Sequence, residues 1–117
     1  MTLALNHIVV DCEDAGRLAG FWSEVLGRPV LPGADAEAAF IAEGAPGEQG
    51  WLFFRVPERK TAKNRMHVDF VSDDREAEVL RLVGLGATLV ADNDQWETRW
   101  SVLRDPGGNE FCIAQRH

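Results

Sequence analysis

The chain carries one pattern twice, and that repeat limits the fold more than any other feature. Leu5–Asp11 reads L-N-H-I-V-V-D and Arg65–Val71 reads R-M-H-V-D-F-V. Both runs are short, rich in β-branched residues and marked by a histidine, His7 or His67, so both read as strands. At the same interval after each histidine stands an aspartate, Asp14 or Asp74, suited to cap a helix. Apolar residues at helical spacing follow: Leu18, Phe21, Trp22, Val25 and Leu26 in one copy, Val79, Leu82, Val83 and Leu85 in the other. Each stripe stops at Leu-Gly, where glycine can close a helix in the left-handed conformation. The pattern predicts helices over Ala15–Leu26 and Arg75–Leu85.

Three more strands are expected after each helix. They are Arg28–Leu31, Ala38–Ala42 and Trp51–Val56 in the first copy, and Thr88–Ala91, Trp100–Arg104 and Glu110–Gln115 in the second. Turn chemistry separates them at Pro32-Gly33, at Gly44–Gly50 and at Asp105-Pro106-Gly107-Gly108-Asn109. The expected architecture is α+β, with two βαβββ modules over residues 1–56 and 65–117 and a polar linker over 57–64. Two units of this kind stabilise each other by burying a face, which makes a single domain of 117 residues.

Alternation assigns the faces of the strands. Ile8, Val10 and Cys12 share one side of the first strand; His7, Val9 and Asp11 share the other. Met66, Val68 and Phe70 oppose His67, Asp69 and Val71, and Phe111 and Ile113 oppose Glu110, Cys112 and Ala114. The apolar sets should pack beneath the helices. The sets that carry His, Asp, Glu and Cys should then line a common concave side.

Several classes of function are disfavoured. A net charge of −7 gives no basic surface for a nucleic acid. No apolar run approaches the ~20 residues of a bilayer span, and Met1–Asn6 lacks the pattern of a secretory leader. Cys12 and Cys112 form neither a disulfide framework nor a paired zinc spacing, as expected of reduced thiols in the cytoplasm. Gly107-Gly108 lies in a hairpin, so it is not a nucleotide-binding motif. There is no tyrosine to act as a general acid. A Cys112–His67 nucleophile pair is conceivable, but nothing in the sequence activates the thiol.

Beyond the repeat, the residues from Leu5 to Val30, the second histidine-bearing strand and the D-P-x-G-N hairpin resemble the vicinal-oxygen-chelate superfamily. That superfamily includes glyoxalase I, extradiol dioxygenases and fosfomycin-resistance thiol transferases. V-P-E-x-K-T-x-K-N-R-x-H-x-D at Val56–Asp69 and D-P-x-G-N-E-F-C at Asp105–Cys112 are most similar to a group of bacterial glyoxalase-like proteins. The resemblance implies a mixed sheet curled around a central cavity, a homodimer and a small-molecule ligand. It also implies a divalent metal (Zn, Fe, Mn or Ni) held by His7, His67 and a glutamate of the last strand. The family position for that glutamate is Cys112 here; Glu110 lies two residues earlier on the same face.

Two functional readings stay open. In one, His7, His67 and Glu110 hold a metal, and Glu110, Asp69 or Asp11 serves a lyase, transferase or dioxygenase reaction on a small oxygenated substrate. In the other, a metal-free protein of the bleomycin-resistance type sequesters an aromatic or cationic molecule with tryptophans and acidic groups. Asp11, Trp51, Arg55, Trp100 and Cys112 are the candidate ligand contacts. Arg55 begins a basic run with Arg59, Lys60, Lys63 and Arg65 that could be an anion-attracting rim or a solvated linker. His7 and His67 could equally be neutral cleft histidines bonded to Asp11 or Asp69, and Glu110 could pair with Arg55 or Arg104.

Overall fold

The computed structural model describes residues 3–117; Met1 and Thr2, the start of the stretch read for a leader, lie outside the described residues. The elements run β1 (His7–Cys12), α1 (Ala15–Leu26), β2 (Ala38–Ile41), β3 (Gly50–Arg55), β4 (Asp69–Ser72), α2 (Arg75–Leu85), β5 (Thr88–Gln95), β6 (Thr98–Arg104) and β7 (Glu110–Gln115). They form a three-stranded sheet, β1-β3-β2, and a four-stranded sheet, β4-β7-β6-β5, each with one parallel pair. The chain divides into two compact units after Arg59. Lys60–Asn64 of the expected linker therefore belong to the second module.

Both helices lie where the repeat predicts, and their ends show why. Asp14 and Asp74 each accept a bond, 3.1 Å long, from the backbone N–H three residues on, Arg17 and Ala77. Gly27, at φ 67°, closes α1 in the left-handed region, where its N–H reaches the Ser23 carbonyl.

In the first module α1 buries Leu18, Ala19, Phe21 and Trp22 against Trp51, Phe53, Ala39 and Ile41. Ile8, Val10 and Cys12 lie on the same side of β1, in register with Trp51, Phe53 and Arg55. Burying side chains of this size stabilises by roughly 1.5–3 kcal/mol each. The expected strand Arg28–Leu31 reduces to one bridge, Val30 to Ile41. The Arg28 guanidinium instead donates to the carbonyls of Ala42 and Gln49, 2.9 Å each, and the chain turns away too soon to continue a ladder.

The second module has a mixed interior. Phe111, Leu103, Ile113, Val79 and Leu82 are buried, and Phe70 meets Phe111 edge to face. Among them the Arg75 guanidinium donates to Ser101 Oγ (2.6 Å) and to Asp92 Oδ1 (2.9 Å). Ser101 Oγ in turn donates to Asp92 Oδ1 (2.6 Å), so the start of α2 is tied to β5 and β6. Arg65–Val68 does not join β4, and Met66, assigned by alternation to the core, is 87% exposed. The alternation argument held only from Val68 onward, where the Val68 carbonyl accepts from the Cys112 N–H.

The turn between β6 and β7 is wound around one carboxylate. Asp105 Oδ1 accepts from the N–H groups of Gly107 and Asn109, both at 2.9 Å, and Oδ2 faces the Asn109 amide. This Asx turn fixes the hairpin register, with Arg104 opposite Glu110 and Val102 opposite Cys112. Replacing Asp105 by Ala is expected to lower stability by about 2 kcal/mol, because two backbone N–H groups of the turn lose the buried carboxylate that accepts from them. Urea unfolding measures it, and a loss below about 0.5 kcal/mol contradicts this account of the turn.

Candidate functional site

The face of each sheet opposite its helix carries the candidate residues, and the two modules differ sharply there. In the first module His7, Val9 and Asp11 of β1 share this face with Leu52 and Phe54 of β3 and with Ala38 and Phe40 of β2. Phe40 and Phe54 meet edge to face at 6.0 Å. His7 is exposed, with its Nδ1 3.1 Å from the Asn6 amide, and Asp11 is exposed as well. The surface is apolar, with one imidazole and one carboxylate along a single strand.

Two expected ligand contacts of this module lie elsewhere. Trp51 has the parity of Ile8 and is 4% exposed, its ring 4.7 Å from that of Trp22 beneath α1. It is a core residue, because α1 supplies an aromatic partner that the strand pattern alone does not reveal. Arg55 has the parity of Cys12 and pairs at 3.0 Å with Glu37, an exposed ion pair at the end of β3.

In the second module the face is polar at one end. Asp69 of β4 lies directly opposite Cys112 of β7 in the parallel pair, and Cys112 lies opposite Val102 of β6. His67, just before β4, turns to the same side: its Nδ1 is 2.8 Å from Asp69 Oδ1 and 3.9 Å from Cys112 Sγ. One ligand atom each from His67, Asp69 and Cys112 lies within 4.8 Å of the other two. This is the metal-type cluster among the described residues, and it combines an expected metal ligand, an expected proton-transfer group and an expected ligand contact. Because the same imidazole nitrogen faces both Asp69 and Cys112, the three do not form a nucleophilic relay, which needs the carboxylate and thiol on opposite ring nitrogens.

Glu110 does not join them. Its side chain is 6% exposed, and Oε2 accepts from the Asn64 N–H at 3.0 Å while lying 3.7 Å from Lys60 Nζ. Oε1 lies 4.0 Å from Arg104 Nε, and the Asn64 amide donates to the Glu110 carbonyl. Glu110, expected as a metal ligand and catalytic group, lies outside the cluster of His67, Asp69 and Cys112. It has the right parity but stands one strand step, ~7 Å, from Cys112, where its oxygens are engaged in holding the Lys60–Asn64 segment. Lys60 and Asn64, read in the sequence as linker, are the residues missed. Their signal was the buried glutamate that needed partners.

Electrostatics separate the two acidic groups of β7. Burial pushes the Glu110 carboxyl up, but the Asn64 N–H, its own N–H and the charges of Lys60 and Lys63 outweigh this and hold it below the ordinary 4.5. Burial pushes the Cys112 thiol from the ordinary 9.0 up to about 11, the Asp69 charge and hydrogen bond add to the rise, and Lys63 partly opposes it. Cys112 is therefore a thiol at neutral pH, and a Cys112 nucleophile has no support.

A glyoxalase-like domain model matches residues 7–114, nearly the whole chain and both of its modules. The chain belongs to the glyoxalase-like family. No curated relative matches its sequence. Solved structures show the likeness of fold. A glyoxalase/bleomycin resistance protein/dioxygenase family enzyme from Burkholderia phytofirmans PsJN is 20% identical, with a TM-score of 0.76 over 97% of this chain and 98% of that one. The fosfomycin resistance protein FosX from Mesorhizobium loti is 17% identical, with a TM-score of 0.74 over 100% and 95%. A bleomycin-binding protein from Streptomyces verticillus is 17% identical, with a TM-score of 0.66 over the full length of both. No helix of the described residues is long and apolar enough to cross a membrane.

Two measurements follow for this glyoxalase-like chain. Alkylation of Cys112 should accelerate about tenfold per pH unit up to about pH 11, and Asp69→Asn should move that midpoint down. The folded thiol holds its proton more tightly than the unfolded one. The stability it contributes is thus complete below pH 9.0 and lost as the pH rises towards 11. Glu110→Gln should cost roughly 1–3 kcal/mol in urea unfolding at neutral pH. Because the folded carboxyl titrates below 4.5, the difference from wild type should shrink as the pH falls beneath that value. An unchanged difference at low pH would refute the assignment.

Proposed function

We propose that this glyoxalase-like protein takes a small oxygenated molecule at the helix-free face of its second module, on a divalent metal held by His67, Asp69 and Cys112. The cluster of those three ligand atoms within 4.8 Å carries the reading. The donor set fits an ion: one imidazole, one carboxylate and one sulfur leave coordination positions free, and the sulfur favours zinc over iron, manganese or nickel. When bound, the ion supplies a Lewis acid that polarises a substrate oxygen or a water. With the ion bound, Asp69 would exchange its bond to His67 for a share of the ion's charge, and Cys112 would lose its proton to solvent, the positive charge of Lys63 favouring the thiolate. A lyase, transferase or dioxygenase reaction is the class of chemistry proposed.

One observation favours a second reading, a metal-free binding protein. His67 and Asp69 already satisfy one another, and Cys112 is protonated, so the three residues are stable without an ion.

Calorimetric titration of untagged protein with zinc separates the readings. The metal reading expects one ion per chain, release of the Cys112 proton, and binding at least tenfold weaker in His67→Ala and Cys112→Ala. Since the His67 side chain is 41% exposed, its removal should cost at most about 1 kcal/mol of stability in the absence of metal. The same titration on His7→Ala decides whether the imidazole of the first module belongs to the ligand set. If zinc does not bind and chelator leaves the melting temperature unchanged, the metal-free reading replaces this one.

A further inference from the structure

The segment that precedes β4 is bonded to β7 at Asn64 and again at Val68, and the chain between is longer than the gap it crosses. At the first point the Asn64 N–H donates to Glu110 Oε2 at 3.0 Å and the Asn64 side-chain amide donates to the Glu110 carbonyl at 3.2 Å. At the second the Cys112 N–H donates to the Val68 carbonyl at 3.0 Å. Glu110 and Cys112 are next but one on an extended strand, roughly 7 Å apart. The chain from Asn64 to Val68 can span about 13 Å. The surplus has to leave the strand direction, and it bends at Arg65 and Met66, where Met66 is 87% exposed.

Without that surplus His67 would stand elsewhere. Asp69 pairs with Cys112, so the same register carried back along both strands sets His67 opposite Glu110. Asn64 holds that place instead. Its amide bonds the carbonyl that a continued ladder would use, and its N–H bonds the carboxylate. Lys60 closes the other flank: its stem lies against Gly108, where an added Cβ would come within 3.3 Å of Lys60 Cγ, and its ammonium is 3.7 Å from Glu110 Oε2. His67 turns the other way, with Nδ1 2.8 Å from Asp69 Oδ1 and 3.9 Å from Cys112 Sγ. From there the face runs on to Ala114, opposite Trp100, and away from Glu110.

From this geometry we infer that Asn64 is a positioning residue: by occupying Glu110 it keeps His67 off that carboxylate and sets the imidazole against Asp69 and Cys112. Asn64 acts through the backbone, three residues before the ring it places. The proposal deepens the reading of a metal on His67, Asp69 and Cys112, and it rests on that reading for the ion alone. The placing of the imidazole holds with or without metal. A ring set in advance loses little freedom when it takes a ligand, so the Asn64 bonds are felt as affinity.

The test combines zinc calorimetry with the nitrogen NMR spectrum of the imidazoles in metal-free protein at mildly alkaline pH. An ionised Asp69 can only accept, so His67 Nδ1 carries the proton between them and the wild-type ring should hold one tautomer. Asn64→Ala should give averaged tautomers at His67 and bind zinc about tenfold more weakly. Asn64→Gln, which keeps an amide, should restore part of both. Asn64→Ser, too short to reach the carbonyl, should behave as Asn64→Ala and replaces it if that variant does not fold. Arg65→Ala and Met66→Ala, nearer to His67 but exposed, should match wild type. Asp14→Ala, which uncaps α1 in the first module, should lower the melting temperature and leave both readouts unchanged, so lost stability alone does not mimic the effect. If wild type takes no zinc, the metal reading falls and the spectrum alone decides the role of Asn64. That role is overturned if Asn64→Ala keeps the wild-type tautomer, or if it differs from wild type no more than Arg65→Ala does.

Discussion

A carboxylate taken out of water organises the second module. Glu110 is the first residue of β7, and burial there is tolerable only because Lys60, Arg104 and the Asn64 N–H converge on its two oxygens. Those partners come from two directions, from the neighbouring strand β6 and from a segment that precedes β4. Satisfying the charge therefore anchors a stretch of chain with no ladder of its own. Three residues beyond Asn64 that stretch delivers His67, and at Val68 it joins the Cys112 N–H and enters the sheet. The imidazole is thus held between the Glu110 anchor on one side and β4 on the other. Its position beside Asp69 and Cys112 follows from this.

The two modules share a parallel pair extended by antiparallel strands, three strands in the first and four in the second, but their interiors differ. In the first, α1 sits on interlocking rings, Trp22 on Trp51 and Trp51 on Phe53, and the opposite sheet face is apolar. In the second, α2 buries only Val79 and Leu82, and Arg75 at its start is bonded to Ser101 and Asp92. The opposite face of that sheet bears the chemistry-carrying groups. A duplicated unit can diverge in this way because burial of the helix stripe constrains one strand parity, while the other parity is free to vary. In the first copy the free parity is occupied by Val9, Leu52 and Phe54, and in the second by Asp69, Cys112 and Trp100.

Local signals made most of the fold legible. The aspartate caps, the Leu-Gly stops and the apolar periodicity located both helices, because each feature acts within one or two turns of chain. The Asp105–Asn109 turn was equally clear, since its aspartate bonds only to residues of the turn itself. The hairpin at Trp96-Glu97 was not legible. It contains neither glycine nor asparagine, so the flanking strands were read as shorter than the Thr88–Gln95 and Thr98–Arg104 they form. Arg28–Leu31 erred in the opposite direction. Its β-like composition was real, but the Arg28 side chain captures two distant carbonyls and leaves a single bridge.

For the site, the sequence by itself determined which residues have chemistry to offer and which strand face they occupy. Asp69, Glu110 and Cys112 share the face that alternation assigns, because the period of two is a property of the extended backbone alone. Only the tertiary structure decided which of them meet. Cys112 stands opposite Asp69 through a parallel pairing between strands that lie far apart in the chain, and no local pattern specifies that register. The same pairing carried Glu110 one step past the cluster, into the reach of Lys60 and Asn64. Trp51 went to the core for a like reason, since its parity was readable but its partner Trp22 lies on a helix. Parity is set by each residue's own backbone, whereas contact is set by which distant strand or helix packs against it.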